Sequence, residues 1–278
     1  MKNILIKSLS LLIIATVLFG CKKEKTVAEV PSTIPALDGL IKLKEGYALG
    51  ASAKVEVWAK KNFFTGYNKL TVVLYDSVTA TEILQSAQIS FVPRMAMTTG
   101  AHACPFENPA AQAVGDVFTG VVVFQMATVT DGAWQLSLQV HNNKNNKDGL
   151  ATFDVTVTDP ASALCKPFYT LMPDSTRIVL TLVQPEAPIV GINDIEFTIH
   201  RKVGMMDFPA DDSYSIEIDP QMPSMGHGSP NNVNPSNTGN GHYKGKVNFI
   251  MTGWWQVNVL LKKGTDTVSQ NVFFDITF

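Results

Sequence analysis

The chain has few charged residues and few cysteines for its length. Charged side chains make up 17% of its 278 residues, the formal net charge is -2, and three cysteines are present. No basic stripe of the kind that binds nucleic acid occurs, and no acidic tract that would attract a cationic partner. These absences exclude a nucleic-acid-binding protein and favour a globular protein with a substantial apolar core.

Short catalytic motifs are also missing. The sequence contains no G-x-S-x-G, no H-E-x-x-H and no phosphate-binding glycine loop. Its five histidines are scattered and do not show the spacing of a zinc site. We therefore expect that the protein is not an enzyme.

The N-terminus has the features of an export signal. Lys2 and Lys7 precede an apolar run from Leu9 to Phe19, which is too short to span a membrane comfortably. Residues 1–20 are therefore predicted to be a signal peptide. The segment Leu18-Phe19-Gly20-Cys21 resembles the lipobox of bacterial lipoproteins, which implies a lipid on Cys21. An ordinary signal peptide that happens to contain a cysteine is the alternative.

The residues after the signal predict where the protein resides. Residues 21–38 are polar and include Pro31 and Pro35, so we expect an extended tether. By analogy with familiar lipoproteins, Lys22 after the lipidated cysteine implies the outer membrane, on its periplasmic side or at the cell surface. The predicted location is the cell envelope, with the N-terminal lipid as the contact to the membrane.

The remainder of the chain shows strand patterns. In residues 134–140, for example, Trp134, Leu136, Leu138 and Val140 alternate with polar residues, so they share one face of a half-buried strand. Similar runs recur to the C-terminus, and no amphipathic helix pattern competes with them. The predicted fold class is all-β.

These runs match pairwise when the chain is offset by 121 to 127 residues, which indicates an internal repeat. Five blocks correspond in the same order, beginning at Gly66 and Gly191, Pro93 and Pro220, Phe118 and Tyr243, Trp134 and Trp255, and Thr152 and Phe273. Each copy has the length of an immunoglobulin-like β-sandwich. We predict two tandem sandwiches, at residues 39–159 and 174–278, with the boundary between Asp159 and Asp174.

A long polar segment follows the strand that ends near Asp219, and it carries the candidate metal ligands. It opens with Met222, Met225 and His227, and His242 stands at its far end. Thioether sulfur and imidazole nitrogen suit copper, particularly Cu(I). If the flanking strands end at the same edge, the four side chains converge on a copper site. Otherwise Met222 completes the core, and Met225 and His227 are surface residues.

The first copy has a related cluster with different spacing. Met95, Met97, His102 and Cys104 form a possible second metal site, or this copy has lost binding and keeps Met95 for packing. Cys104 and Cys165 are also a possible disulfide, because exported proteins reside where disulfides persist. The sequence leaves open whether Cys104 is bridged, a metal ligand or a free thiol.

The second copy resembles the YtkA-like domain, related to the FixH proteins. The resemblance rests on Pro220-Gln-Met-Pro-Ser-Met-Gly-His, on Gly241-His-Tyr-Lys-Gly, and on Phe249-Ile-Met-Thr-Gly-Trp-Trp-Gln-Val. It covers about a third of the chain well and the first copy weakly. It implies a small extracytoplasmic β-sandwich associated with copper handling, cation pumps or oxidase assembly. Met222, Met225 and His227 occupy the matching positions.

Two hypotheses of function follow. The first is a lipid-anchored copper-binding protein that acts as a chaperone, buffer or resistance factor, with copper-handling or oxidase-assembly proteins of the envelope as partners. The second is a metal-free structural or interaction module, in which the sandwiches serve as a spacer or present edges and loops to another envelope protein.

The lipid assignment predicts that Cys21→Ala releases the protein from membranes, because the thiol that carries the acyl chains is gone. Fractionation of cells into membrane and soluble material measures this. A Cys21→Ala protein that is fully processed and still sediments with membranes contradicts the assignment.

Overall fold

A computed structural model describes residues 34–278, which form an almost entirely β-structured protein. The strands pair antiparallel in four sheets. The alternation read from the sequence is the reason: Trp134, Leu136, Leu138 and Val140 are all buried on one strand. The predicted fold class, all-β with two immunoglobulin-like sandwiches, is confirmed.

The first sandwich contains nine strands and two short 3-10 helices, at Pro35–Leu37 and Leu49–Ala51. The strands are β1 (Ile41–Ala48), β2 (Ala53–Ala59), β3 (Gly66–Asp76), β4 (Ala87–Met97), β5 (Gly100–His102), β6 (Phe106–Glu107), β7 (Phe118–Phe124), β8 (Gly132–Asn142) and β9 (Lys147–Val155). They form one sheet in the order β1-β2-β3-β7-β6 and another in the order β5-β4-β8-β9. Both sheets contribute to one core, so they pack face to face.

The second sandwich repeats this arrangement. Its strands are β10 (Cys165–Thr170), β11 (Arg177–Gln184), β12 (Gly191–Arg201), β13 (Ser215–Met222), β14 (His227–Gly228), β15 (Val233–Gly239), β16 (His242–Phe249), β17 (Trp254–Lys263), β18 (Asp266–Thr267) and β19 (Val272–Thr277). One sheet has the order β10-β11-β12-β16-β15, and the other places β13 between β14 and β17, with β19 also paired to β17. The strand orders of the two sandwiches therefore correspond.

Buried side chains repeat between the sandwiches in matching roles. Asn68 accepts a hydrogen bond from the Phe64 N–H and donates to the carbonyls of Phe64 and Gly66. Asn193 makes the same three bonds to Ile189 and Gly191. Each asparagine thereby fixes the turn that enters the third strand of its sandwich.

Two predicted boundaries need correction. The segment between Asp159 and Asp174, predicted to hold the boundary, contains β10, which pairs with β11 and belongs to the second sandwich. The last residues of the predicted tether are also packed, because Ile34 and Leu37 are buried with Val73 and Val117. The rest of the tether and Cys21 lie outside the described residues.

The predicted polar loop after Asp219 is also not a loop. β13 continues to Met222, β14 returns beside it, and β15 forms the edge of the other sheet. Most of β15 is exposed, including Val233. An edge strand with both faces near solvent lacks the apolar alternation that identifies buried strands.

The asparagine turns predict a stability effect. Asn68→Ala removes three hydrogen bonds at a buried position and leaves backbone groups unpaired, so we expect a loss of about 2–3 kcal/mol in the free energy of unfolding. Urea unfolding followed by circular dichroism measures it. Asn143→Ala, which removes one exposed bond to Ser86, is the matched control and should change little. Equal effects for the two variants contradict the assigned role.

Candidate functional site

The candidate ligands of the second sandwich lie on a tight hairpin between β13 and β14. Met222 and His227 are direct partners across the hairpin. The backbone N–H groups of Met225 and Gly226 both donate to the Met222 carbonyl at 3.0 Å, which closes the turn. Side chains directly opposite on antiparallel strands project from the same face with Cβ atoms about 5 Å apart. Met222 and His227 are therefore brought together.

Trp255 completes this arrangement from the other neighbouring strand. The pairing of Gln221 with Gln256 brings Trp255 alongside Met222, the next residue on β13. Trp255 is fully buried, and its ring meets that of His227 edge to face, 6.1 Å between centroids. These residues, His227, Met222 and Trp255, form what we call the second His–Met–Trp row.

The members of this hairpin differ in exposure. Met222 is 2% exposed and belongs to the core, His227 is half-buried, and Met225 is 61% exposed in the turn. A Cβ at Gly253 would lie 3.2 Å from the Met222 Cε, so the thioether methyl packs against a position without a side chain. The predicted core role of Met222 and the predicted exposure of Met225 therefore coexist at one site.

His242 does not join the other three candidate ligands, which corrects the expected convergence. It begins β16, whereas Phe249, at the other end of β16, contacts Trp255 at 5.4 Å between centroids. Seven residues of extended strand span about 23 Å. His242 therefore lies at the opposite end of the sandwich from Met222.

His242 instead bridges the two sandwiches. Its Nδ1 lies 2.7 Å from the Glu196 Oε1, and its Nε2 lies 3.0 Å from the Oε1 of Glu107 in the first sandwich. The hydrogen bond to Glu107, followed by the one to Glu196, raises the pKa of His242 to about 9. Tyr67 donates to the other Glu107 oxygen at 3.4 Å and packs edge to face against His242. Both ring nitrogens are thus committed to carboxylates.

Apolar residues surround this bridge. One buried cluster draws residues from both sandwiches: Ala103, Val121 and Val123 from the first, and Cys165, Val179 and Phe208 from the second. The Ala103 N–H also donates to the Met205 carbonyl across the boundary. Residues 34–278 form one compact unit, consistent with a packed contact between the sandwiches.

The candidate ligands of the first sandwich lie at the corresponding corner. Met95 on β4 pairs with His102 on β5 and with Trp134 on β8, so the three side chains share one face. The rings of His102 and Trp134 meet edge to face at 5.3 Å. These residues form the first His–Met–Trp row. Met97 is half-buried on the same face of β4, two residues from Met95.

Both cysteines are buried. Cys104 packs in the first core, and Cys165 lies in the cluster between the sandwiches. Burial, and then the neighbouring Cys165, raises the pKa of Cys104 well above its ordinary value; burial raises the pKa of Cys165 to about 12, although Thr181 donates to its sulfur. Both are free thiols in the structure, so the predicted bridge is not formed there and stays a prediction.

Among residues 34–278, no helix has the length and apolarity to cross a bilayer. In the same range no group of three or more histidine, cysteine, aspartate or glutamate side chains is placed to hold a metal ion.

Comparison with known proteins identifies the second sandwich. Residues 174–260 match the family described as YtkA-like, so the second sandwich contains a YtkA-like domain. The first sandwich lies outside the matched range. No curated protein matches the chain.

Two solved structures are similar. One is FdeC, an Escherichia coli adhesin, with 14% identity and a TM-score of 0.26; the match covers 85% of this chain and 66% of FdeC, just under two thirds of its length. The other is domains 5–6 of the S-layer protein SbsC, with 11% identity and a TM-score of 0.26, covering 86% of this chain and 98% of that structure.

The sequence reasoning missed the tryptophans as members of the candidate sites. Trp134 and Trp255 are matched positions of the predicted repeat, and both are buried in the core. Their proximity to Met95 and Met222 follows from strand register, which the repeat alignment does not give. The Glu107 partner of His242 is 135 residues away in sequence and carries no local signal.

The charge bridge predicts a pH-dependent stability. Because the pKa of His242 is raised to about 9, its contribution is fully present below about pH 6.5 and is lost as the pH rises through about 9. His242→Gln retains hydrogen bonding but removes the charge. We expect it to cost about 1–3 kcal/mol at pH 6, and the difference from the wild type to shrink towards pH 10.

Denaturant unfolding at several pH values measures this difference. His141→Gln, in an exposed pair with Asp148, is the control and should have little effect. A His242→Gln deficit that is the same at pH 6 and pH 10 rules out the charge contribution.

Proposed function

We propose that this envelope protein is anchored by a lipid on Cys21 and binds Cu(I) at the end of its second sandwich. The donors are Met222, Met225 and His227. The protein acts in copper handling, as a chaperone, buffer or resistance factor, together with copper-handling or oxidase-assembly proteins of the envelope. No catalytic role is part of the proposal.

The hydrogen bond of His227 is the observation that carries the proposal. Its Nδ1 lies 3.0 Å from the Gly228 carbonyl oxygen. A carbonyl only accepts, so Nδ1 is the donor and the neutral ring has its lone pair on Nε2. Metal-binding histidines commonly donate their second ring N–H to a backbone carbonyl in this way, which fixes the ring and increases its basicity.

The chemistry of the donor set supports copper over other ions. Thioether and neutral imidazole bind Cu(I) well and bind calcium or magnesium poorly. Methionine also does not form disulfides, so it remains available as a sulfur ligand outside the cytoplasm. The Trp255 ring beside His227 adds an aromatic surface that attracts a cation.

Differences in exposure support a site that exchanges its ion. Met225 lies in the solvent-exposed turn, and His227 is half-buried. Met222 approaches from the core side of the same hairpin. A chaperone or buffer must release its ion, and donors at a hairpin tip provide a route between the buried methionine and solvent.

A metal-free structural module is the second candidate, and the contact between the sandwiches favours it. The Glu107–His242–Glu196 bridge and the apolar cluster around it suit two domains held in a fixed orientation. In this alternative Met222 only completes the core, because flexible methionine fills irregular space well.

Competition for Cu(I) between the full-length protein in detergent and a chromogenic chelator separates the two candidates. We expect Met225→Leu, Met222→Leu and His227→Gln each to weaken the affinity of this site by roughly tenfold or more, equivalent to about 1.4 kcal/mol. Leucine preserves the apolar volume of methionine at a cost usually below about 1.5 kcal/mol in stability, so the loss reports on the sulfur.

Matched controls lie elsewhere in the second sandwich and in the first. Met206→Leu changes an exposed loop methionine, and His141→Gln changes a histidine in an exposed hairpin. Both should retain wild-type affinity. If the wild type loses all Cu(I) to the chelator, the metal-free module is supported. If the protein retains Cu(I) and none of the three site substitutions weakens its affinity, this site is rejected.

A further inference from the structure

One corner of the first sandwich contains Met95, Met97 and His102, whose side chains carry soft donor atoms. The sequence alone leaves open whether they bind a metal or whether Met95 only packs. Met95 occupies the central strand of three, with His102 opposite on one side and Trp134 opposite on the other. Directly opposite residues have Cβ atoms about 5 Å apart. The Met95 side chain therefore shares one face of the sheet with an imidazole and an indole, whose rings meet edge to face at 5.3 Å.

The two methionines of this strand converge on Gly132. A Cβ built at Gly132 would lie 2.4 Å from the Met95 Cε and 3.4 Å from the Met97 Cγ. Any side chain at this position would displace Met95, so glycine is what allows both methionines to occupy the corner. Both methionine side chains thus lie on the face of the sheet that carries His102, whereas the second sandwich has its second methionine out in the turn.

His102 has a buried nitrogen that the rest of the described protein leaves unpaired. Its Nδ1 lies 3.0 Å from the Ala103 carbonyl oxygen and must be the donor. Among residues 34–278, the buried Nε2 has no hydrogen-bond partner, and the residue is only 5% exposed. An unpaired buried polar atom costs free energy comparable to a lost hydrogen bond, so a ligand on the His102 Nε2 would remove this cost.

We propose that the first sandwich has its own site for a soft monovalent metal ion of the Cu(I) class, held by Met95, Met97 and His102 against the Trp134 ring. The site extends the proposed function to the first sandwich but uses none of the donors at Met222, Met225 and His227. Two thioethers and one neutral imidazole with a fixed tautomer form a soft three-donor set. The ring of Trp134 beside them is the type that attracts cations best.

Burial distinguishes this site from the one at the Met225 turn. Met95 and His102 are at most 5% exposed, and Trp134 is fully buried. An ion held there is screened from water and from chelators, so it should exchange more slowly than an ion at the exposed hairpin tip. The two sandwiches then combine a retained ion with an exchangeable one.

Cu(I) titration of the full-length protein with fluorescence detection tests the proposal. In a protein in which Trp58, Trp254 and Trp255 are replaced by phenylalanine, Trp134 is the remaining tryptophan. We expect Cu(I) to quench its emission, and His102→Gln in that background to abolish this quenching. The double variant Met95→Leu and Met97→Leu should remove one equivalent of tightly bound Cu(I), while its metal-free fold and unfolding midpoint stay near those of the parent. Cys104→Ala should retain that equivalent, since the thiol is not one of the donors.

Each outcome separates this site from that of the second sandwich. An equivalent of Cu(I) that survives His227→Gln but not the Met95→Leu, Met97→Leu pair supports the first-sandwich site, even if the second sandwich binds nothing. Quenching that is unchanged by His102→Gln overturns the proposal. So does a His227→Gln protein that binds no Cu(I) at all.

Discussion

The pairing of a central-strand methionine with a histidine on one side and a tryptophan on the other is the constraint on which both candidate sites depend. Antiparallel register alone places these side chains on one face. Each indole N–H then donates to a backbone carbonyl, Trp134 to Met126 and Trp255 to Met251, at 2.9 and 3.0 Å. With the indole rings fixed in this way, each methionine lies beside a ring of defined orientation.

The same constraint explains why structural and ligand roles need not exclude one another here. Met95 and Met222 are core residues, and truncating either would leave a cavity. Each is nevertheless paired in register with a histidine whose Nδ1 donates to a backbone carbonyl. The sequence presents core packing and metal binding as alternatives for Met95 and Met222, but the structure is compatible with both roles.

The sequence predicts structure correctly where buried and exposed side chains alternate along one strand. The alternation around Trp134 and the matching blocks at Trp255 predict the strands and the repeat, because apolar period-two patterns follow directly from a two-faced sheet. It failed for β15, whose edge position leaves no alternation, and for β10, a short strand in a segment that reads as a linker. It also grouped His242 with Met222. The sequence gives the number of residues between them, but without recognising β15 it does not give the end of the sandwich at which His242 lies.

His242 and the two histidines of the rows show how environment assigns different roles to one residue type. Between Glu107 and Glu196, the His242 ring is held charged and both nitrogens are occupied, so it ties two sandwiches together and has no lone pair for a soft ion. At the rows, each histidine faces a carbonyl with Nδ1 and an apolar corner with the rest of its ring. A carboxylate partner favours the imidazolium, whereas a carbonyl partner on one nitrogen leaves the other free to act as a donor to metal. Whether Nε2 has a carboxylate partner therefore decides which histidines are structural and which can bind a metal ion.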